Sequence, residues 1–144
     1  AIASGIQFCF CPHTNPVLIE MAREHNIPIM PGALTPTEIV TAWQAGATCV
    51  KVFPVQSMGG HNYIHSLQGP LGHIPLIPTG GVMLENAAGF IEAGAIAVGL
   101  SSNLFSRPHI QEQNWSDITQ RCIDLKMELQ YSRQSPSQNR HPHR

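Results

Sequence analysis

Lysine is almost missing from this sequence. Its 144 residues contain two, Lys51 and Lys126. In the first 106 residues the only other basic side chain is Arg23, set against Glu20, Glu24, Glu38, Glu85 and Glu92. Long apolar runs are missing as well: no stretch of about 18 apolar residues exists, and the opening AIASGIQF has neither a charged leader nor an apolar segment of useful length. Membrane insertion and secretion are therefore not expected. The four cysteines, Cys9, Cys11, Cys49 and Cys122, have no CxxC spacing. They read as reduced thiols acting as small apolar side chains, which suits a reducing cytoplasm. The end of the chain, QSPSQNRHPHR, is basic but lacks the aromatic interleaving and long basic run of a nucleic-acid surface. A solvated, disordered tail is expected there, and His141 and His143 make no closed metal site. Neither a metal nor a nucleic-acid partner is expected.

What is present fits one soluble α/β domain, with 42% hydrophobic and 12% charged residues. Short apolar runs recur at Ile6 to Phe10, Ile27 to Met30, Thr48 to Phe53, Pro75 to Ile77 and Ala95 to Leu100, with helical patterns between them. Asn15-Pro16 opens the first helix, with Val17, Leu18, Met21 and Ala22 on one face. Thr35-Pro36-Thr37-Glu38 is a capping box; its helix buries Ile39, Val40 and Trp43 and stops at Gly46. Further helices are expected over about His61 to Leu67, from about Leu84 to Gly94, and over about Trp115 to Leu129 with Trp115, Ile118, Cys122, Leu125 and Leu129 on one stripe.

Strands alternating with helices through short connections imply a parallel sheet with right-handed crossovers. A dinucleotide fold carries its glycine-rich loop after the first strand, whereas this chain has Thr79-Gly80-Gly81 after the fourth and Gly99-Leu100-Ser101 after the fifth. Adjacent late loops that hold a phosphate are a habit of (β/α)8 barrels after strands 7 and 8. On that count the fold class is α/β of TIM-barrel type, with strands 4 to 8 and their helices present. Residues 1–106 would be the partial barrel, 107–131 a linker and outer helix, and 132–144 a tail. The opening AIASG reads as a helix end capped by Gly5, and no initiating Met is present, as expected of an N-terminally truncated chain.

Lys51 is the residue richest in chemical meaning. Alternation along Cys49-Val50-Lys51-Val52-Phe53 puts Cys49, Lys51 and Phe53 on one face and the two valines on the other. Apolar surroundings disfavour an ammonium group, and a free amine attacks ketones. The plainer alternative is a lysine that reaches solvent or pairs with a carboxylate. Thr79, Gly80 and Gly81 offer backbone N–H groups to an anion at a helix entrance, and Ser101 and Ser102 add hydroxyls, although glycine and serine also make ordinary turns. Pro31-Gly32 and Gly59-Gly60 could line a pocket or simply turn the chain. Glu38 belongs to its cap. His13 is a plain loop residue or a proton shuttle.

The segments PGALTPTEI (31–39), VKVFP (50–54), GG (59–60), PTGGV (78–82) and VGLSS (98–102) resemble, in order and spacing, the 2-keto-3-deoxy-6-phosphogluconate (KDPG) and 4-hydroxy-2-oxoglutarate aldolase family. The resemblance implies a class I aldolase that cleaves KDPG to pyruvate and glyceraldehyde 3-phosphate without metal or organic cofactor. It makes Lys51 the Schiff-base lysine, sets Pro31 and Phe53 at the pyruvate end, and gives the substrate phosphate to Thr79, Gly80, Gly81, Gly99 and Ser101. A homotrimer is also implied. The family commonly shows Gly-Gly-Ser where this chain has Gly99-Leu100-Ser101. Its proton-moving glutamate and keto-acid arginine lie on early strands that this sequence does not contain, so impaired activity is expected. The rival reading is a non-catalytic partial barrel that binds a phosphorylated ligand or a partner chain.

Overall fold

Proline and its capping neighbours set where the first two helices begin. In α1 (Pro16–Glu24) the Asn15 side chain accepts from the N–H groups of Val17 at 3.0 Å and Leu18 at 3.4 Å. In α2 (Pro36–Gln44) the Thr35 hydroxyl accepts from Glu38 N–H at 3.3 Å, and Glu38 Oε2 accepts in return from Thr35 N–H at 2.8 Å and Leu34 N–H at 2.7 Å. That is the reciprocal capping box its sequence announces. The structure, a computed structural model, describes residues 2–134. Ile2–Ser4 form a 3-10 turn, and Gly5 follows with a positive φ of 71°.

The strands are short and parallel. β1 (Cys9–Phe10) pairs with β2 (Ile29–Met30), β3 (Gly32–Ala33) with β4 (Val50–Val52), and β4 with β5 (Leu76–Pro78). The second strand, expected over Ile27 to Met30, starts at Ile29, and after Pro31, which has no N–H to give, the chain continues as β3. It still runs beside β4, because Lys51 N–H donates to Pro31 O at 2.9 Å and Phe53 N–H to Ala33 O at 3.0 Å.

The expected fifth strand, Ala95 to Leu100, is reduced to one parallel bridge between Thr79 and Gly99. Two local causes account for it. Ile96 N–H donates to Leu76 O, but the next donation to β5 comes from Gly99 to Pro78 O, so three residues advance here where the partner advances two, a bulge. The regular return bond to Ile96 O would come from residue 78, which is a proline. Arg133 Nη2 supplies that bond instead, at 2.5 Å, from far along the chain.

Two sheet faces differ in what covers them. Val50, Val52 and Leu76, each without exposed surface, join Ile19, Ile39, Ala42, Ile64 and Phe90 of the helices in the main core. The opposite face carries a small cluster of Met30, Cys49 and Ile77 with Ala97 against it. Phe8 and Phe10 follow β1's alternation onto that second face and remain 60% and 47% exposed.

α3 (His61–Leu71) runs past its expected end, with Pro70 in its last turn. The helix expected from Leu84 begins as a 3-10 turn, Leu84–Asn86, before α4 (Ala87–Glu92). One face of α1 differs from expectation. Ile19 and Ala22 are buried, while Val17, Leu18 and Met21 are exposed, because Leu18 and Met21 border a cavity beside Cys9 and Cys11 instead of reaching the core.

A short helix that the sequence does not suggest, α5 (Arg107–Gln111), is capped by Ser106. Its His109 links Ser106 Oγ at 2.6 Å to Asp117 Oδ2 at 2.6 Å, and Arg121 reaches the same oxygen at 2.7 Å. Burial pushes the Asp117 carboxyl up, but the hydrogen bond and charge of Arg121, followed by those of His109, hold it below the ordinary carboxylate range. α6 (Trp115–Gln134) packs Ile118, Leu125 and Leu129 inward and leaves Trp115 and Cys122 exposed. It extends to Gln134, into the segment expected to be disordered; the rest of that segment lies outside the described residues. No described helix is long and apolar enough to cross a membrane, and all four cysteines are free thiols.

Two substitutions test this framework. Glu38→Ala removes the carboxylate that holds two N–H groups and should cost about 1 kcal/mol in urea denaturation at neutral pH. The N–H donors of Thr35 and Leu34 hold the Glu38 carboxyl below its ordinary range. Its stabilisation is therefore present above the unfolded-state value of about 4.3 and is lost as pH falls through the lower folded-state value, so the gap between variant and parent should narrow as the pH is lowered through that range. In Gly32→Ala the new methyl would lie 2.2 Å from Pro12 O, a backbone atom that cannot swing away. That overpacking should cost about 1–3 kcal/mol, read as a lower urea midpoint with unchanged slope.

Candidate active site

The strand ladder decides where Lys51 points. Val50 and Val52 face the helices, so Lys51 lies on the other side of β4 with Cys49 and Phe53, in register with Gly32 on one flank and Ile77 on the other. Gly32 has no side chain to obstruct it. Lys51 is half-buried, and among the described residues no carboxylate forms an ion pair with it. Its Nζ lies 4.4 Å from the centroid of the Phe53 ring. Of the plainer alternative, a lysine that reaches solvent or pairs with a carboxylate, the second form finds no partner among the described residues.

From Phe53 the contacts lead to the glycine loop. A Cβ on Gly80 would fall 3.0 Å from two Phe53 ring carbons, so the missing side chain is what lets the loop lie against that ring. Gly80 and Gly81 have φ of 82° and 86°, backbone that glycine adopts without strain. The turn Val55–Met58 is tied to the same loop, with Val55 N–H donating to Thr79 O at 2.9 Å and Gln56 N–H to Gly80 O at 3.1 Å. Gln56 also packs against Gly81, where a Cβ would come within 2.3 Å. No described residue accepts from the N–H groups of Gly80 and Gly81. Thr79 stands two residues beyond the register partner of Lys51, which puts their Cα atoms about 8 Å apart at ordinary strand spacing. Gly99 lies against Thr79, where a Cβ would meet the threonine hydroxyl at 2.5 Å.

Lys51, Phe53, Thr79, Gly80 and Gly99 thus form one connected patch, with Gly81 at its edge. Ser101 lies farther out, exposed, with its carbonyl accepting from Leu104 and Phe105 N–H. Leu100 packs with the helix-side core instead of standing over the loop. Pro31 is fully buried, and the alternation that brings Gly32 to the Lys51 face turns Pro31 to the other, so its link to Lys51 is through its carbonyl. The helix entrance expected after Gly81 is a three-residue 3-10 turn followed by the six residues of α4, so any anion binding falls to the loop amides themselves.

Glu38 is occupied by its cap, and His13 is an exposed loop residue beside the Pro12 carbonyl that covers Gly32. No described group of three or more His, Cys, Asp or Glu side chains is arranged to hold a metal. Three positioning residues carry no mark in the sequence pattern strong enough to single them out: Thr14, whose hydroxyl donates to Gly32 O at 2.9 Å; Gln56; and Asn103, whose Oδ1 accepts from Leu84 N–H at 3.1 Å. A polar residue just past a strand end is the available signal for Thr14, and none exists for Asn103.

Comparison with known proteins agrees with this arrangement. A family model described as KDPG and KHG aldolase matches residues 1–121. The 2-dehydro-3-deoxy-phosphogluconate aldolase of Haemophilus influenzae is 33% identical over 118 residues, which is 82% of this chain and 56% of that protein. The chain therefore spans little more than half the length of that relative. A solved structure described as native KDPGal superposes with a TM-score of 0.82 at 30% identity, over 92% of this chain and 62% of that one. A KDPG aldolase from Legionella pneumophila, solved with pyruvate captured as a covalent carbinolamine, gives 0.75 at 26% identity, over 86% of this chain and 60% of that one. With the matched region running through Lys51, the glycine loop and the Gly99 bridge, this chain belongs to the KDPG and KHG aldolase family.

Proposed function

We propose that this chain carries the nucleophile and phosphate-binding part of a class I aldolase, acting on KDPG or a shorter 2-keto acid such as 4-hydroxy-2-oxoglutarate. The observation that carries the reading is the setting of Lys51: half-buried, without a carboxylate partner among the described residues, on the sheet face away from the helices, and joined through Phe53 to the Thr79-Gly80-Gly81 loop. In the proposed reaction the Lys51 amine adds to the C2 ketone and water leaves, giving an iminium. That cation accepts the electrons of the breaking C3–C4 bond while the C4 hydroxyl gives its proton to a base, so an aldehyde departs and an enamine remains. Protonation at C3 and hydrolysis release pyruvate and restore the amine. The N–H groups of Gly80 and Gly81, which donate to no described residue, and the Thr79 hydroxyl suit a phosphate at the far end of the substrate, with Ser101 at its rim.

The same reading takes the parallel rows as strands 4 to 8 of a (β/α)8 barrel, residues 1–106, with 107–131 as linker and outer helix. Chain-order parallel pairing and a second face bearing Met30, Cys49, Ile77, Phe8 and Phe10 support it, since closure would turn that face into a barrel interior. It places the protein in the cytoplasm and in a homotrimer.

Incubation with pyruvate and borohydride should add one reduced pyruvyl group per chain, located at Lys51 by peptide mapping, and Lys51→Arg should abolish it because a guanidinium stays protonated. Trapping that persists in the variant would move the nucleophile elsewhere, with Lys126 first; no trapping in either protein would favour a binding role. No group of the patch is placed as a general base, and a positioned base contributes about 10²- to 10⁴-fold. Turnover of residues 1–144 should therefore fall below that of a full-length relative by about that factor. Comparable turnover would show that a residue of this chain supplies the base, with Glu38 and His13 the first to test.

A further inference from the structure

Two thiols stand apart from the Lys51 patch. Cys9 and Cys11 lie two residues apart on the row of β1, both turned toward α1, with their sulfurs 3.5 Å apart. Their backbones are pinned to β2, since Cys9 N–H donates to Pro28 O at 2.8 Å and Cys11 N–H to Met30 O at 3.1 Å. Cys11 is buried and Cys9 is half-buried. Both border a cavity of about 120 Å³ walled by Ile6, Leu18, Met21 and Ile27.

The spacing selects among the things a dithiol can do. A disulfide needs its sulfurs at about 2.05 Å, and its Cα atoms are usually about 4.4–6.8 Å apart. Residues two apart on a strand lie about 6.6 Å apart, near the top of that range, and here both are held by ladder bonds. A single atom bonded to both sulfurs fits without strand movement. With bonds of about 2.3 Å, the length of a zinc–thiolate bond, it spans the gap at an angle near 100°. Zinc itself would require further protein ligands. No suitable group of three or more ligating side chains exists among the described residues. A three-coordinate soft atom that brings its own third substituent requires none, and the apolar cavity beside the sulfurs can receive that substituent. Its volume approaches the roughly 150 Å³ of an apolar cavity known to admit benzene.

We propose that Cys9 and Cys11 form a dithiol site for trivalent aryl arsenicals, with arsenic bridging the two sulfurs and the aryl group in the cavity under α1. With an aryl arsenoxide the arsenic–oxygen bond and both S–H bonds break, two As–S bonds form, and the oxygen leaves with the two protons as water. Arsenic stays trivalent, and no oxidant or reductant is involved. Burial, then the hydrogen bond and charge of Cys9, push the Cys11 thiol up against the opposing charge of Lys51, so the protonated form that this condensation consumes is the one present at neutral pH.

The test treats the purified chain with one equivalent of phenylarsine oxide and maps the product after tryptic digestion. The peptide of residues 1–23 contains Cys9 and Cys11 and no other cysteine. It should carry the reagent less one water, two thiols should vanish from titration, and a small dithiol should strip the adduct while a monothiol should not. Cys9→Ser should weaken capture by roughly 10²- to 10⁴-fold, the loss of an intramolecular second bond, and Cys122→Ser should not change it. An adduct on Cys122, two chains bridged through arsenic, capture unchanged in Cys9→Ser, or no adduct at all would overturn the proposal. Mapping on the unaltered chain gives its answer whether or not the serine variants fold.

Discussion

A strand buried on one side leaves each of its residues a single choice of face. Val50 and Val52 have no exposed surface, and both lock into the helix-side core. Lys51 between them must then face away. A slip of one residue would drive its side chain among Ile39, Ile64 and Phe90 and turn two valines outward, so the core itself enforces the register. The neighbours inherit their places from that choice. Gly32 stands beside Lys51, Phe53 follows it on the same face, and the Thr79 loop leaves the end of β5 two residues past the register partner of Lys51. The chemistry attributed to the lysine thus depends on methyl groups that never touch a substrate.

Features written in consecutive residues are legible in the sequence alone. Asn15-Pro16 and Thr35-Pro36-Thr37-Glu38 name their own caps, and the face of Lys51 follows from counting by two. Features shared between distant segments are not. The fifth strand is a continuous apolar run in sequence, yet Pro78 on its neighbour withholds a donor and a bulge intervenes. α1 carries apolar residues around more of its surface than the core covers, so its pattern alone does not select Ile19 and Ala22 over Leu18 and Met21. α5 escapes because five residues are too few to show a period.

The candidate site divides along the same line. Residue types are legible: one lysine in a strand, and glycines in two late loops. Orientation is not. Pro31 reads as a pocket residue but supports Lys51 through its carbonyl, and Leu100, which stands where the family commonly has a second glycine, packs to the helix side. The value of Gly80 lies in the ring of Phe53 that rests against it, a contact between residues 27 positions apart that no local pattern encodes.

The bond from Arg133 to the Ile96 carbonyl changes how the sheet can come apart. Ladder hydrogen bonds form and break with their neighbours, whereas this acceptor is served by a guanidinium on an exposed helix end, 37 positions away. Its loss does not require any strand to separate. The terminal turns of α6 and the β5 ladder can therefore open as separate cooperative units with separate free energies. Amide exchange in the last turns of the helix would report a fluctuation to which the strand bearing Lys51 is blind.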